Sequence, residues 1–240
     1  MFIVLEGIDG SGTSTQVHGL IKRIELFDKY QDVLRTHEPW KNEEIKRKLK
    51  EDKDAYSDPE ETAQLYVEDR VNHSYLLIRP NLIAGTMVIS SRYKMSTYAF
   101  QWAQGVCLEK LLKMHQHKGI LTPNITFFLD VEREIAAGRI KERKKLEKFE
   151  RDAGFIDKVI KNYRKLADIS EIYPNLFGKV IRINANPSIE KVEKEIYNVL
   201  LPFYREWKGL DFHYSDILKI GKQNKKMSVD EIIGNLSDIL

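Results

Sequence analysis

The residues best placed to do chemistry stand near the amino terminus, in the run Glu6-Gly7-Ile8-Asp9-Gly10-Ser11-Gly12-Thr13-Ser14-Thr15-Gln16. An apolar stretch, Phe2–Leu5, leads into them, and a segment with Val17, Leu20, Ile21 and Ile24 on one helical face follows. Gly7, Gly10 and Gly12 allow successive backbone N–H groups to turn inward around an anion. A helix opening near Thr15 aims its unpaired amides and positive dipole end at the same place. Ser14 then stands where a hydroxyl ligates the magnesium ion that accompanies a nucleoside triphosphate. One position departs from the spacing G-x-x-x-x-G-K-[ST]: counted from Gly7, the lysine position holds Thr13. Taken alone, the loop specifies a phosphorylated ligand, with a ligand-free glycine turn as the alternative.

Such a loop must be held between a strand and a helix, and the rest of the chain repeats that alternation. Apolar, β-branched runs occur at Met87–Ile89, Ile125–Leu129 and Val180–Ile183, with a weaker candidate at Asp32–Thr36. Continuous rather than alternating apolar strands suit a parallel sheet buried on both faces. Between them, helical patterns are expected at Thr15–Phe27, Cys107–His117, Ile135–Glu142, Ile156–Ile169 and Ile189–Tyr197. A longer helix opens at Asp58-Pro59, with Asp as the cap and Pro in the first turn, and is expected to run to a break at Pro80. The expected fold is a three-layer α/β domain, a parallel sheet of about five strands flanked by helices, with ligands at the carboxyl ends of the strands.

The whole-chain figures narrow the function classes. Of 240 residues, 39 are Lys or Arg and 36 are Asp or Glu, a net charge of +3 that argues against a dedicated nucleic-acid binder. A single cysteine, Cys107, excludes an intrachain disulfide and a multi-cysteine zinc site, and suits a reducing compartment. No apolar run has the length of a membrane span, and Glu6 cuts Phe2–Leu5 too short for a signal peptide, so a cytoplasmic protein is expected. The segment Glu132–Arg151 holds eight basic and five acidic residues; by itself it reads as a solvated helix face. Beyond Trp207 the pattern loosens, with a capping-box spacing at Ser228 and Glu231 opening an amphipathic stretch to Leu240.

Several ordered motifs add a family resemblance. Phe-Ile-Val-Leu-Glu-Gly-Ile-Asp-Gly-Ser-Gly at the start, Thr36-His37-Glu38-Pro39, Leu65-Tyr66-Val67-Glu68-Asp69-Arg70, Ser91-Arg92-Tyr93 with Ser96-Thr97-Tyr98-Ala99-Phe100-Gln101, and Pro123–Val131 together resemble thymidylate kinases over about residues 1–205. The resemblance implies a P-loop nucleoside-monophosphate kinase fold with a lid at about 140–153, ATP and dTMP as substrates, Mg2+, and a homodimer without nucleic-acid or membrane partners. It implies that Gly7, Gly10, Ser11, Gly12, Thr13, Ser14 and Thr15 cradle the ATP phosphates and that Arg139 lies against adenine. Tyr66 would stack on the thymine ring, a role in tension with that of an ordinary core aromatic. Arg70 would meet a base carbonyl, Thr97 and Gln101 would read the base edge, and Phe100 would line the pocket, with Tyr93 crowding the sugar. Arg92 would clamp the acceptor phosphate. Lys46 and His37 stand at further basic positions, Asp9 near the sugar hydroxyl or an arginine, and Glu38 in the acceptor and magnesium surroundings.

Two family charges are absent: the loop lysine is Thr13, and the aspartate before Arg92 is Ser91. Phosphoryl transfer depends on stabilising the charge of the transferred group, so a substitute cation is expected from Arg143, Lys144 and Lys145 of the lid. The expected activity is ATP-dependent phosphorylation of dTMP by a unit spanning 1–207, with 208–240 as an extension. A catalytically silent nucleotide-binding homologue and a kinase for another pyrimidine deoxynucleoside monophosphate are the alternatives.

Overall fold

The computed structural model describes residues 1–51, 58–142 and 153–210. Five strands, β1 (Phe2–Glu6), β2 (Val33–His37), β3 (Met87–Ser91), β4 (Ile125–Asp130) and β5 (Lys179–Asn184), form one sheet in the order β2-β3-β1-β4-β5. All pairings are parallel. β1 lies at the centre, with Ile3 in register between Ile89 and Ile125. Every residue of β1, β3 and β4 is buried, the signature of a sheet covered on both faces. Successive β1 side chains serve opposite layers. Ile3 and Leu5 belong to the main core with Val17, Leu20 and Ile24, whereas Phe2 and Val4 pack with Ile78, Val88 and Tyr93.

Nine α-helices are described: α1 (Thr13–Phe27), α2 (Glu43–Glu51), α3 (Pro59–His73), α4 (Arg79–Ile83), α5 (Lys94–Ala103), α6 (Leu108–Met114), α7 (Arg133–Glu142), α8 (Ala153–Ile172) and α9 (Ile189–Trp207). Four expectations need correction. α1 starts at Thr13, two residues early, because Gly12 takes the left-handed conformation (φ 97°) at the N-cap. The break expected at Pro80 does not occur. A π-helical turn, Ser74–Ile78, joins α3 to α4, and Pro80 falls in the first turn of α4, where its missing N–H is tolerated. α9 continues past Tyr197 and carries Pro202 within it, held by the four-residue stripe Val192, Ile196, Leu200 and Tyr204 against the core. α2 and α5 were not expected as helices at all. No described helix is long and apolar enough to cross a membrane. The stretch Ser228–Leu240 and most of the expected lid lie outside the described residues.

Candidate active site

The phosphate loop is shaped by close packing. Ser11 N donates to Ile8 O (3.1 Å), and Gly10 holds φ 80° where a Cβ would collide with the Ala136 carbonyl of α7. No side chain caps the opening of α1 and no acidic residue stands in its first turn, so its leading amides are left for an external anion. At the carboxyl ends of the neighbouring strands, β2 delivers His37 and Glu38, and β3 delivers Ser91 and Arg92.

Three cavities adjoin here. The first, about 260 Å³, is lined by Asp9, Glu38, Tyr66, Arg70, Arg92, Thr97, Phe100 and Gln101 among others. A second, about 210 Å³, is lined by Ile8, Asp9, Gly10, Gly12, Thr13, Ser14, His37, Glu38, Ser91 and Arg92. The third, about 240 Å³, is lined by Ser11, Gly12, Thr15, Gln16, Arg139, Ala185, Pro187, Ile189 and Val192. The second shares Asp9, Glu38 and Arg92 with the first and Gly12 with the third, so it lies between them.

Arg92 occupies that middle position in a left-handed backbone, φ 67°. Its N–H donates to Leu5 O (2.8 Å) and its carbonyl accepts from Ser90 Oγ (2.8 Å). The guanidinium pairs with Asp9 and lies 5.5 Å from the Phe100 ring centroid. Burial works against its charge, but Asp9, with Tyr163 and Glu6 behind it, pushes its pKa above the ordinary arginine value. His37 goes the other way: burial, then His73 and Arg35, lowers its pKa and favours the neutral ring. Arg92 is the one residue lining the middle cavity, among the described residues, that carries a fixed positive charge.

The first cavity has an aromatic and an amide side. Burial raises the Tyr66 pKa to about 12, which keeps its phenol un-ionised. Gln101 Nε2 donates to Gln104 Oε1 (3.1 Å), which turns its carbonyl oxygen the other way; that oxygen has no protein partner. Arg70 is fully buried, with Nε donating to Glu38 Oε2 (2.8 Å) and Nη2 to Tyr93 O (3.1 Å) and Thr97 Oγ1 (2.9 Å). Glu38 lines two cavities, yet both of its oxygens are engaged, one by Arg70 and the other by His73 Nδ1 at 3.1 Å.

Other candidates sit differently from expectation. Lys46 is not among the lining residues; it reaches along α2 to Glu43 (2.6 Å). Arg139 lines the third cavity, but Nη2 donates to the carbonyls of Ala185 (2.9 Å), Asn186 (3.2 Å) and Pro187 (3.0 Å), tying α7 to the loop after β5. Arg143, Lys144 and Lys145 lie outside the described residues.

Several supporting residues escaped the sequence reading. Glu6, at the end of β1, accepts from Tyr93 N (2.8 Å), Ser96 N (3.3 Å) and Ser96 Oγ (2.6 Å), which fastens α5 to the sheet beside Arg92. Its burial raises its pKa, an effect that the hydrogen bond from Ser96 and the charge of Arg92 oppose. Asp69 accepts from the backbone N–H groups of Trp40, Lys41 (3.0 Å) and Asn42 (2.9 Å), and His73 bonds Thr36 Oγ1 at 2.7 Å. An acid closing an all-apolar strand was a visible signal for Glu6; Asp69 and His73 offered none.

Three cavities sharing walls around one anion-binding loop, set on the carboxyl edge of this strand order, place the protein among the P-loop kinases. A family model described as thymidylate kinase matches residues 5–196. A probable thymidylate kinase of Thermococcus kodakarensis is 38% identical over 205 residues, covering 82% of this chain and 95% of that protein. The thymidylate kinase of Blochmanniella floridana is 35% identical over 212 residues, covering 83% and 94% respectively. A probable thymidylate kinase of Pyrococcus horikoshii is 36% identical over 204 residues. The chain belongs to the thymidylate kinase family.

Proposed function

We propose that the protein transfers the γ-phosphoryl group of ATP to dTMP, giving dTDP and ADP. The observation that carries this reading is the middle cavity, bounded by the phosphate loop and Arg92 and sharing walls with a pocket on either side. The apolar walls beside Arg139 suit a purine, and Tyr66, Thr97, Phe100 and Gln101 suit a pyrimidine. The unpartnered Gln101 oxygen can accept a pyrimidine N3–H. The acceptor phosphate is already an anionic nucleophile, so no general base is required; alignment and charge stabilisation remain.

The donor set fits magnesium. Ser14 is exposed beside the carboxylates of Asp9 and Glu38, and no described cluster of three His, Cys, Asp or Glu forms a protein cage. Magnesium is held this way, by few protein oxygens together with phosphates and water. When bound it neutralises phosphate charge. Ser14 would hold it, the loop amides would receive the β-phosphate, and Arg92, steadied by Asp9, would grip the acceptor phosphate.

The cation that Thr13 does not provide is assigned to Arg143, Lys144 and Lys145 in a lid at about 140–153. α7 supports this: it touches the loop at Gly10, and its last residue, Glu142, stands about 9 Å along the helix axis from Ala136. Residues 1–207 then form the catalytic unit and 208–240 an extension. A homodimer is proposed from Tyr75, Leu76 and Ile83, exposed at 67%, 61% and 80% along α3–α4, and a cytoplasmic setting from the single, exposed cysteine.

An ADP-release assay with dTMP, dUMP, dCMP and dGMP tests the reading. Turnover should be fastest with dTMP and lost on chelation of magnesium. Folded, ATP-binding protein that turns over none of the four would overturn it and favour the silent homologue suggested by Thr13 and Ser91.

A further inference from the structure

Arg70 has five N–H donors to place. Nε and Nη2 each reach Glu38 Oε2, at 2.8 and 2.6 Å, and the second Nη2 hydrogen is shared by Tyr93 O and Thr97 Oγ1. One Nη1 hydrogen goes to His115 Nε2, at 2.6 Å. The other Nη1 hydrogen has no acceptor among the described residues, and Arg70 lines the 260 Å³ cavity.

The chemistry of His115 is fixed by its other nitrogen. Nδ1 lies 2.7 Å from Leu111 O, and a carbonyl can only accept, so Nδ1 carries the ring hydrogen. Nε2 is therefore left with a lone pair for Arg70. Burial, then the charges of Arg70 and Lys94, holds the imidazole pKa well below its ordinary value, against the opposing pull of the Leu111 carbonyl. The ring stands just beyond α6 and packs 4.5 Å from the Tyr98 ring of α5, so it cannot swing away without disturbing that contact.

We propose that His115 is a positioning residue for recognition of the acceptor base: by holding one Nη1 hydrogen of Arg70, it directs the other into the cavity, toward a base carbonyl. A hydrogen so aimed favours a pyrimidine with a carbonyl at the position where cytosine carries an amine. The proposal rests on the reading of that cavity as a pyrimidine nucleotide site. His115 itself touches no substrate; it acts through Arg70.

Calorimetric affinities for dTMP, dCMP and ATP, measured on the full chain and on His115→Phe and His115→Gln, test it. His115→Phe should weaken dTMP about tenfold, the scale of one misdirected hydrogen bond, and leave dCMP and ATP unchanged. Glutamine offers an oxygen to Arg70 and an N–H to Leu111, so His115→Gln should restore most of the dTMP affinity. An unchanged preference for dTMP over dCMP in His115→Phe would overturn the proposal, as would equal losses for dTMP and ATP. Should His115→Phe fail to fold, His115→Gln and long-range ¹H–¹⁵N correlation of the native ring decide. A ring hydrogen on Nδ1 is expected, and one on Nε2 overturns the proposal. Native protein that binds ATP but neither monophosphate removes the pyrimidine-site reading and this inference together, whereas selective dTMP binding that survives His115→Phe removes the inference alone.

Discussion

Arg92 combines a backbone that L-residues seldom adopt with an ion pair that could have formed from many positions. Its φ of 67° persists because Leu5 O and Ser90 Oγ hold both sides of the peptide unit, and what the conformation achieves is a guanidinium facing two cavities at once. Lysine cannot reproduce that planar, two-pronged contact. Arg92→Lys should therefore lower kcat about 100-fold or more, the loss typical of removing one well-placed donor to developing charge, while the melting temperature changes little. A kcat within threefold of the native value, measured at saturating ATP and dTMP, would remove Arg92 from the transfer site. Much at this scale was legible in advance: Asp9, Tyr66, Arg70, Arg92, Thr97, Phe100 and Gln101 all meet in one cavity. Lys46 was misjudged because spacing along a chain does not say which way a solvated helix presents a long side chain, and this one pairs with Glu43 instead.

At the scale of elements, the strands were readable because each buries a continuous apolar run, and the helices were readable only where one face differs from the other. α5 gave no such contrast. Lys94, Met95, Thr97, Tyr98, Ala99, Phe100 and Gln101 are all buried, so its polar and apolar residues follow no helical period. α2 hid for the opposite reason, being almost entirely charged around Ile45. The first residue of α5 carries a cost that can be measured. Lys94 is 7% exposed, its only hydrogen bond is a 3.5 Å one to Thr122 Oγ1, and burial, with Arg70 adding, brings its pKa from 10.5 to about 7. Between those values the unfolded chain binds a proton that the folded chain lacks, so stability rises with pH through that window and the full penalty is present below pH 7. Lys94→Met should stabilise the fold by on the order of a few kcal/mol near pH 7, with the gain shrinking toward pH 10. Equal gains at both pH values in chemical denaturation would contradict this. The segment after α7 makes a separate claim. Arg143→Gln, Lys144→Gln and Lys145→Gln together should reduce kcat about 100-fold with little change in dTMP affinity, and an unchanged kcat would mean the cation comes from elsewhere.

For the whole molecule, the strand order and the loop after β1 leave one edge of the sheet to do the chemistry, and all three cavities lie there. The opposite sides of the domain are free for assembly, and the exposed Tyr75, Leu76 and Ile83 should produce a concentration-dependent dimer in sedimentation; a monomer at all concentrations would count against it. Neither Thr13 nor Ser91 changes the architecture around it, since each is a small, nearly buried residue on a regular element. Their effect falls on rate alone, which makes transfer itself the decisive quantity. The most direct measurement follows label from γ-³²P ATP in the presence of dTMP and magnesium, using protein shown by calorimetry to bind both nucleotides. Label appearing in dTDP, in step with ADP, is the expected result. Label that stays in ATP, or appears only as free phosphate while both nucleotides are bound, would contradict it.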